Sequence, residues 1–194
     1  MRSLTYFIAV SQDGFIAGPN GETDRFEQGP ALIDHLAEHY PETLPAPARH
    51  QLGIDAAPVH FDAVVMGRAT YAIGADQGLT SPYGHLTTQL VVSRSLDPSI
   101  DPAVDVVADD PVAAVRDLRA GDGLGVWLCG GGVLAGALLD EIDELVIKRQ
   151  PLVLGAGIPL FAGRYQPTTF EPTDRVTVGS VVFESFRRAD EPVV

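Results

Sequence analysis

The chain has 194 residues, 45% of them hydrophobic, and a formal net charge of −13, which suits one globular domain able to bury a core. A surface this acidic repels phosphate backbones and argues against nucleic acid as a partner. No apolar run reaches the ~18 residues of a membrane helix, and a single cysteine, Cys129, excludes an internal disulfide and a cysteine-rich zinc site.

Met1 and Arg2 lead at once into an alternating segment, residues 2–10, read as a strand. No cleavable leader is recognised there, so a cytoplasmic protein is expected. Residues 11–29 are loop-like and rich in glycine. Pro30 to Tyr40 reads as a helix, with Leu32, Leu36 and Tyr40 recurring every four residues. Residues 41–60, carrying Pro41, Pro45, Pro47 and Pro58, read as an extended surface connection. A short apolar strand follows at 61–66, and Gly67 and Arg68 open a short helix reaching about Tyr71. Leu90 to Ser93 is a further strand and Val104 to Val107 an apolar stretch. Pro111 to Arg119 is a helix capped by Asp109 or Asp110.

Residues 124–129 form a buried strand, and Gly130 to Gly132 lead directly into a helix from about Val133 to Leu139. Leu145 to Ile147 is a strand. After a loop with Gly155, Gly157 and Pro159, residues 173–188 read as a hairpin around Gly179 and Ser180. Strands alternating with helices, then strands alone, predict a mainly parallel α/β sheet with an antiparallel edge. Ligands in such sheets bind at the carboxyl ends of the strands.

Four strand-end segments carry candidate chemistry. In the first, Ala9 to Gly18, the chain turns at Asp13 and Gly14 and continues through Phe15 and Ile16. In the second, Val64 to Tyr71, Gly67 is followed by Arg68 and Thr70 in a first helical turn, where outward amides and a guanidinium suit phosphate oxygens. In the third, Val91 to Leu96, a strand ends in Ser93, Arg94 and Ser95, groups fitted to the 2′-phosphate that separates NADPH from NADH. The fourth is Trp127 to Leu139. Its three successive glycines cost chain entropy and make sense where backbone passes close to a group such as a pyrophosphate. Gly130, Gly132 and Ala135 also satisfy the pattern of a Rossmann dinucleotide site. Lys148, Arg149 and Gln150 stand where that site needs an acidic residue, so this reading ranks second.

Taken in order, these segments resemble the dihydrofolate-reductase-like superfamily, nearest its branch shared with the reductase (RibD C-terminal) domain of riboflavin biosynthesis. The resemblance rests on Ser11, Asp13, Gly14, Ile16 and Ala17; Met66 to Arg68 with Thr70 and Tyr71; Val92 to Arg94; Gly130 to Gly132; and Leu154 to Phe161. It spans nearly the whole chain. It implies a three-layer fold over residues 1–194 and an NADPH-dependent reductase acting on a small heterocyclic or carbonyl substrate, with dihydrofolate or 5-amino-6-(5-phosphoribosylamino)uracil as alternatives. It further implies that Ala9 and Ile16 flank the nicotinamide, that Gly67, Arg68 and Thr70 hold phosphate, that Ser93 and Arg94 face the 2′-phosphate, and that Gly130, Gly131, Gly132, Val133 and Leu134 wrap the pyrophosphate. The first glycine pair is often joined by a cis peptide in that family, and its members commonly form homodimers.

Hydride transfer also needs a proton. Asp13, at the strand end, is the first candidate for its source, with capping of its own turn as the alternative reading, and Asp34 on the first helix is the second. His35 and His39, four apart on that helix, could share a metal, but the sequence places no third ligand, so no metal is expected. A non-catalytic NADPH sensor or scaffold would use the same motifs.

Overall fold

Buried residues alternate in the first strand so that Leu4, Tyr6 and Val10 face one way and Phe7 the other. Both faces are therefore covered, as in the interior of a parallel sheet. In the computed structural model, which describes residues 1–189, the elements follow in the order β1 (Leu4–Val10), β2 (Phe15–Ala17), α1 (Pro30–His39), α2 (Ala46–Leu52), β3 (Phe61–Gly67), α3 (Arg68–Ala75), β4 (Thr88–Val92), β5 (Asp105–Val107), α4 (Pro111–Ala120), β6 (Gly125–Gly130), α5 (Gly132–Ala137), β7 (Glu144–Arg149), β8 (Ile158–Pro159), β9 (Phe170–Val178) and β10 (Val181–Arg188).

Eight strands form one sheet in the order β5-β4-β3-β6-β1-β7-β10-β9. The pairs from β5 to β7 are parallel, and β10 and β9 add an antiparallel hairpin at the edge. On one face Leu4, Tyr6, Val65, Leu128 and Ile147 pack with Val115 of α4 and Leu134 and Ala135 of α5. On the other, Phe7, Val64, Met66, Trp127 and Val146 pack with Leu32 and Leu36 of α1 and Tyr71 of α3. The result is three layers, each large buried side chain contributing about 1.5–3 kcal/mol. This strand order differs from that of a Rossmann domain, so the second reading of the glycine run is set aside.

Two expectations are corrected. Residues 41–60 are not a plain extended connection: Pro41–Thr43 make a 3₁₀ turn and Ala46–Leu52 make α2. Pro41 and Pro47 sit in first turns, where a missing N–H costs nothing. The turn is also anchored, because the buried Glu42 carboxylate accepts hydrogen bonds from the N–H groups of Val59, His60 and Phe61 at 3.2, 2.8 and 3.2 Å. The loop at 11–29 likewise contains β2, which pairs with β8. Asp110 is the cap of α4, accepting from the Ala113 N–H at 2.9 Å.

Candidate functional site

The parallel register brings the ends of β1, β3, β4, β6 and β7 to one edge of the sheet. There β3 and β6 stop side by side, Met66 paired with Gly130. The Gly130–Gly131 peptide is cis. A Cβ placed on Gly67 would lie 3.5 Å from the Gly130 oxygen and from the Gly131 nitrogen. A Cβ on Gly130 would meet Thr70 Oγ1 at 3.5 Å and Ile8 Cδ1 at 3.6 Å, and one on Gly131 would meet Thr70 Oγ1 at 3.6 Å and Ile16 Cδ1 at 3.8 Å. Three motifs far apart in sequence, around Ile16, around Gly67 to Thr70 and around Gly130 and Gly131, therefore touch.

The glycines divide by what needs them. Gly130 has φ +135° and so needs the absence of a side chain. Gly132 and Gly136 need it for packing: a Cβ there would run into the carbonyl oxygens of Pro159 and Ala162. Gly131 has only ordinary contacts around its missing Cβ, so the protein's own packing does not demand a glycine there. Val133 is exposed and Leu134 is buried in the core, placing Leu134 behind the edge and not on it.

Asp13 fastens its own turn. Its carboxylate accepts from Ser11 Oγ at 2.6 Å and from the N–H groups of Leu154 and Gly155 at 3.1 and 2.7 Å. These bonds, the Ser11 hydroxyl first, hold its carboxyl down at about 2. A group ionised throughout the neutral range is an acceptor, so Asp13 is not suited to deliver a proton. The clasp continues with the Leu160 N–H on the Gly14 oxygen at 2.9 Å and the Tyr6 hydroxyl on the Leu160 oxygen at 3.1 Å. The segment from Leu154 to Phe161 thus fixes the turn that carries Ile16. Asp34 is exposed on α1 and has no hydrogen bond or ion pair among the described residues.

At the tip of β4 the Ser93 hydroxyl accepts from the N–H groups of Ser95 and Leu96 at 3.2 and 3.0 Å, so it shapes the loop. Arg94 stands exposed beside it. The chain carries 13 lysines and arginines. Among the described residues all but three engage an acidic group, an amide or a carbonyl through their nitrogen atoms. Arg68 and Arg94 are exposed and make no such contact; Lys148 lies over the Phe7 ring, 4.4 Å from its centroid. Arg68 directly follows β3 and Arg94 comes two residues after β4, and these strands are neighbours in the sheet.

A cavity of about 400 Å³ lies at the opposite ends of the strands, bordered by Arg2, Tyr40, His60 and Glu144. Arg2 there is already held by Asp62 and by the Leu124 carbonyl, so it offers an anion little. The His35 and His39 rings are 4.5 Å apart, and among the described residues no group of three histidine, cysteine or acidic side chains is arranged to hold a metal. No helix among the described residues is long and apolar enough to cross a membrane.

Lys148 escaped the sequence reading. The available signal was its being the only lysine, set at the end of the apolar run Leu145 to Ile147. It pairs in register with Ala9 and shares the α1 face of the sheet with Ala9 and Phe7. Burial pushes its ammonium down to about 8. Cys129, on the same face, has its thiol pushed up to about 12 by burial, as an inert core residue would.

Comparison with known proteins agrees with this geometry. A Bacillus subtilis (strain 168) protein, the uncharacterized protein YwjB, is 30% identical over 162 residues, covering 82% of this chain and 83% of its own length. A putative riboflavin biosynthesis protein from Shewanella sp. PV-4 superposes with a TM-score of 0.67 at 25% identity, covering 97% of this chain and 99% of that one. A dihydrofolate reductase from Enterococcus faecalis, complexed with NADP(H), superposes with a TM-score of 0.65 at 16% identity over 97% of each chain; it shares the fold. The family model of the RibD C-terminal domain matches residues 2–183, and the chain belongs to that family.

Proposed function

We propose that this protein is an NADPH-dependent reductase of a small heterocyclic or carbonyl substrate. One observation carries the reading. In a chain of net charge −13, two exposed arginines that have no partner among the described residues, Arg68 and Arg94, stand at adjacent strand tips at the edge where ligands bind in this class of sheet. A guanidinium is a planar fork suited to phosphate, and two of them offset the acidic background locally. Gly131, whose missing side chain the protein does not itself use, leaves backbone open to close approach.

The residues present fit the dinucleotide. Arg94 would take the 2′-phosphate, while Arg68 and the first amides of α3 would hold the pyrophosphate together with the backbone at Gly131 and Val133. Ile16 and Ala9 would flank the nicotinamide. When bound, NADPH supplies a hydride; the chain supplies orientation and a site sheltered from water. A reductase using this reduced cofactor fits a cytoplasmic location, and we expect it to act as a homodimer.

Calorimetry with NADPH and NADH tests the reading. The expected result is heat from both and at least tenfold tighter binding of NADPH. No heat from either would overturn it.

A further inference from the structure

We propose that Lys148 is the proton donor of this site: its ammonium donates a hydrogen bond, and then a proton, to the carbonyl oxygen or imine nitrogen of the substrate. This rests on the reductase reading above and adds the group that neither Asp13 nor Asp34 provides.

Lys148 is half-buried between the sheet and the layer of α1, in a chain with 26 aspartates and glutamates, yet none of them pairs with it among the described residues. Its Nζ has the face of Phe7 at 4.4 Å and no hydrogen-bond acceptor among those residues. An ammonium partly withdrawn from water gains from an acceptor, and the attraction of an aromatic face supplies only part of it. An acceptor brought by a ligand would complete the set.

Position points the same way. Lys148 is the register partner of Ala9 on β1, and both side chains project from the α1 face near the carboxyl ends of their strands. Ala9 is the residue assigned to flank the nicotinamide. On its other side Lys148 pairs with Phe183 of β10, a buried apolar residue. The substrate would therefore lie on the α1 face of the sheet, against Lys148.

The groups around Lys148 leave this role to it. Cys129 on β6 shares this face, and burial keeps its thiol protonated in the neutral range. Burial raises the Tyr83 hydroxyl well above its ordinary value, with the neighbouring Cys129 adding to it. From α1, the His35 ring rests on Phe183 at 4.7 Å and is held neutral more readily by burial, while Asp34 and Glu38 are exposed. Arg149 and Glu184 pair with each other on the opposite face. An ammonium whose pKa burial has moved to about 8 is matched to proton transfer near neutrality.

The step balances. The substrate carbon gains a hydride, two electrons and a proton together, from the reduced nicotinamide, which is left oxidised. The C=O or C=N π pair moves onto the heteroatom, which takes one proton from Nζ, and the neutral amine is reprotonated by water.

Because Lys148 is the only lysine, its titration can be followed without another lysine in the way. Limited acetylation with acetic anhydride, read by peptide mass spectrometry between pH 6 and 10, gives the midpoint of the amine. The measurement is made on the protein with NADPH and with NADP⁺. The oxidised ring is positive and the reduced ring is not, so a lysine beside it should titrate lower with NADP⁺, by about half a pH unit or more. Equal midpoints in two complexes that calorimetry shows to be formed would overturn the role of Lys148 and leave the cofactor reading intact. If calorimetry shows that neither nucleotide binds, the cofactor reading fails, and this one with it. Lys148→Met should keep NADPH affinity within threefold, and loss of that affinity would place Lys148 in cofactor binding instead.

Discussion

An exposed arginine without a partner costs the fold nothing, so its worth lies in what it meets. Arg94→Ala should weaken NADPH by about 10–100-fold, the loss of one or two hydrogen bonds to a charged group, and leave NADH nearly unchanged. Arg68→Ala should weaken both dinucleotides equally. Titration calorimetry of the two variants checks this; equal losses of NADPH and NADH in Arg94→Ala would remove the 2′-phosphate assignment. Lys148 differs because it opposes folding. Its amine falls from the ordinary 10.5 to about 8 in the folded chain, so between those values the unfolded chain holds more protons and stability rises with pH. Urea midpoints of the wild type should therefore gain on those of Lys148→Met between pH 8 and pH 10.5, by on the order of 2 kcal/mol in all. Cys129 titrates with the opposite sign, but its folded thiol stays protonated between pH 8 and pH 10.5 with or without Lys148, so its contribution is common to both proteins. Parallel curves would show that Lys148 is not desolvated. A cost of this kind at a site is what function can preserve against stability.

At the scale of elements, α5 is short and its position depends on glycines that admit the 158–163 segment. Gly132→Ala and Gly136→Ala should each destabilise by about 1–3 kcal/mol through overpacking against the carbonyls of Pro159 and Ala162. Gly131→Ala, one residue earlier, should leave stability unchanged, while Gly131→Val should fold and lose dinucleotide affinity. Thermal melts and calorimetry separate these outcomes, and a Gly131→Val protein that binds NADPH normally would remove that glycine from the site. This division was only half legible in the sequence. Three glycines between a strand and a helix read correctly as a place of close approach, but which glycine meets protein and which stays open depends on Pro159 and Ala162, more than twenty residues away. The Asp13 turn shows the same limit: its partners Leu154 and Gly155 are distant, so the sequence left acid and turn cap as alternatives, and only the bonds across the chain make it a clasp. The strands and helices with regular periodicity, β1, β3, α1 and α4, were found to within about two residues. Residues 41–60 were not, because prolines that begin helices resemble prolines that prevent them, and the bonds that settle the matter come from a buried Glu42 whose partners lie seventeen to nineteen residues on.

For the whole molecule, one edge of the sheet remains to be accounted for. The strand β9 is nine residues long, and all but its two end residues are exposed. Among the described residues β9 is the outermost strand on this side, and such an edge presents unpaired N–H and C=O groups, a template for a second chain. Glu171, Pro172, Asp174 and Arg175 blunt its first half with charge and a missing donor. The second half, Val176 to Val178, carries no charge, and Val176 is 40% exposed. We propose that the homodimer forms through this uncharged half of the edge. Light scattering at micromolar concentration should then give about twice the 20.6 kDa chain mass, and Val176→Lys should give the chain mass itself with the far-ultraviolet circular dichroism unchanged. The proposed dinucleotide site lies at the tips of β3, β4 and β6, on the other side of β1 in the strand order. Separating the chains should consequently leave NADPH affinity intact. A wild type that scatters as one chain would refute the dimer, whereas a Val176→Lys protein that still dimerises would move the interface away from β9.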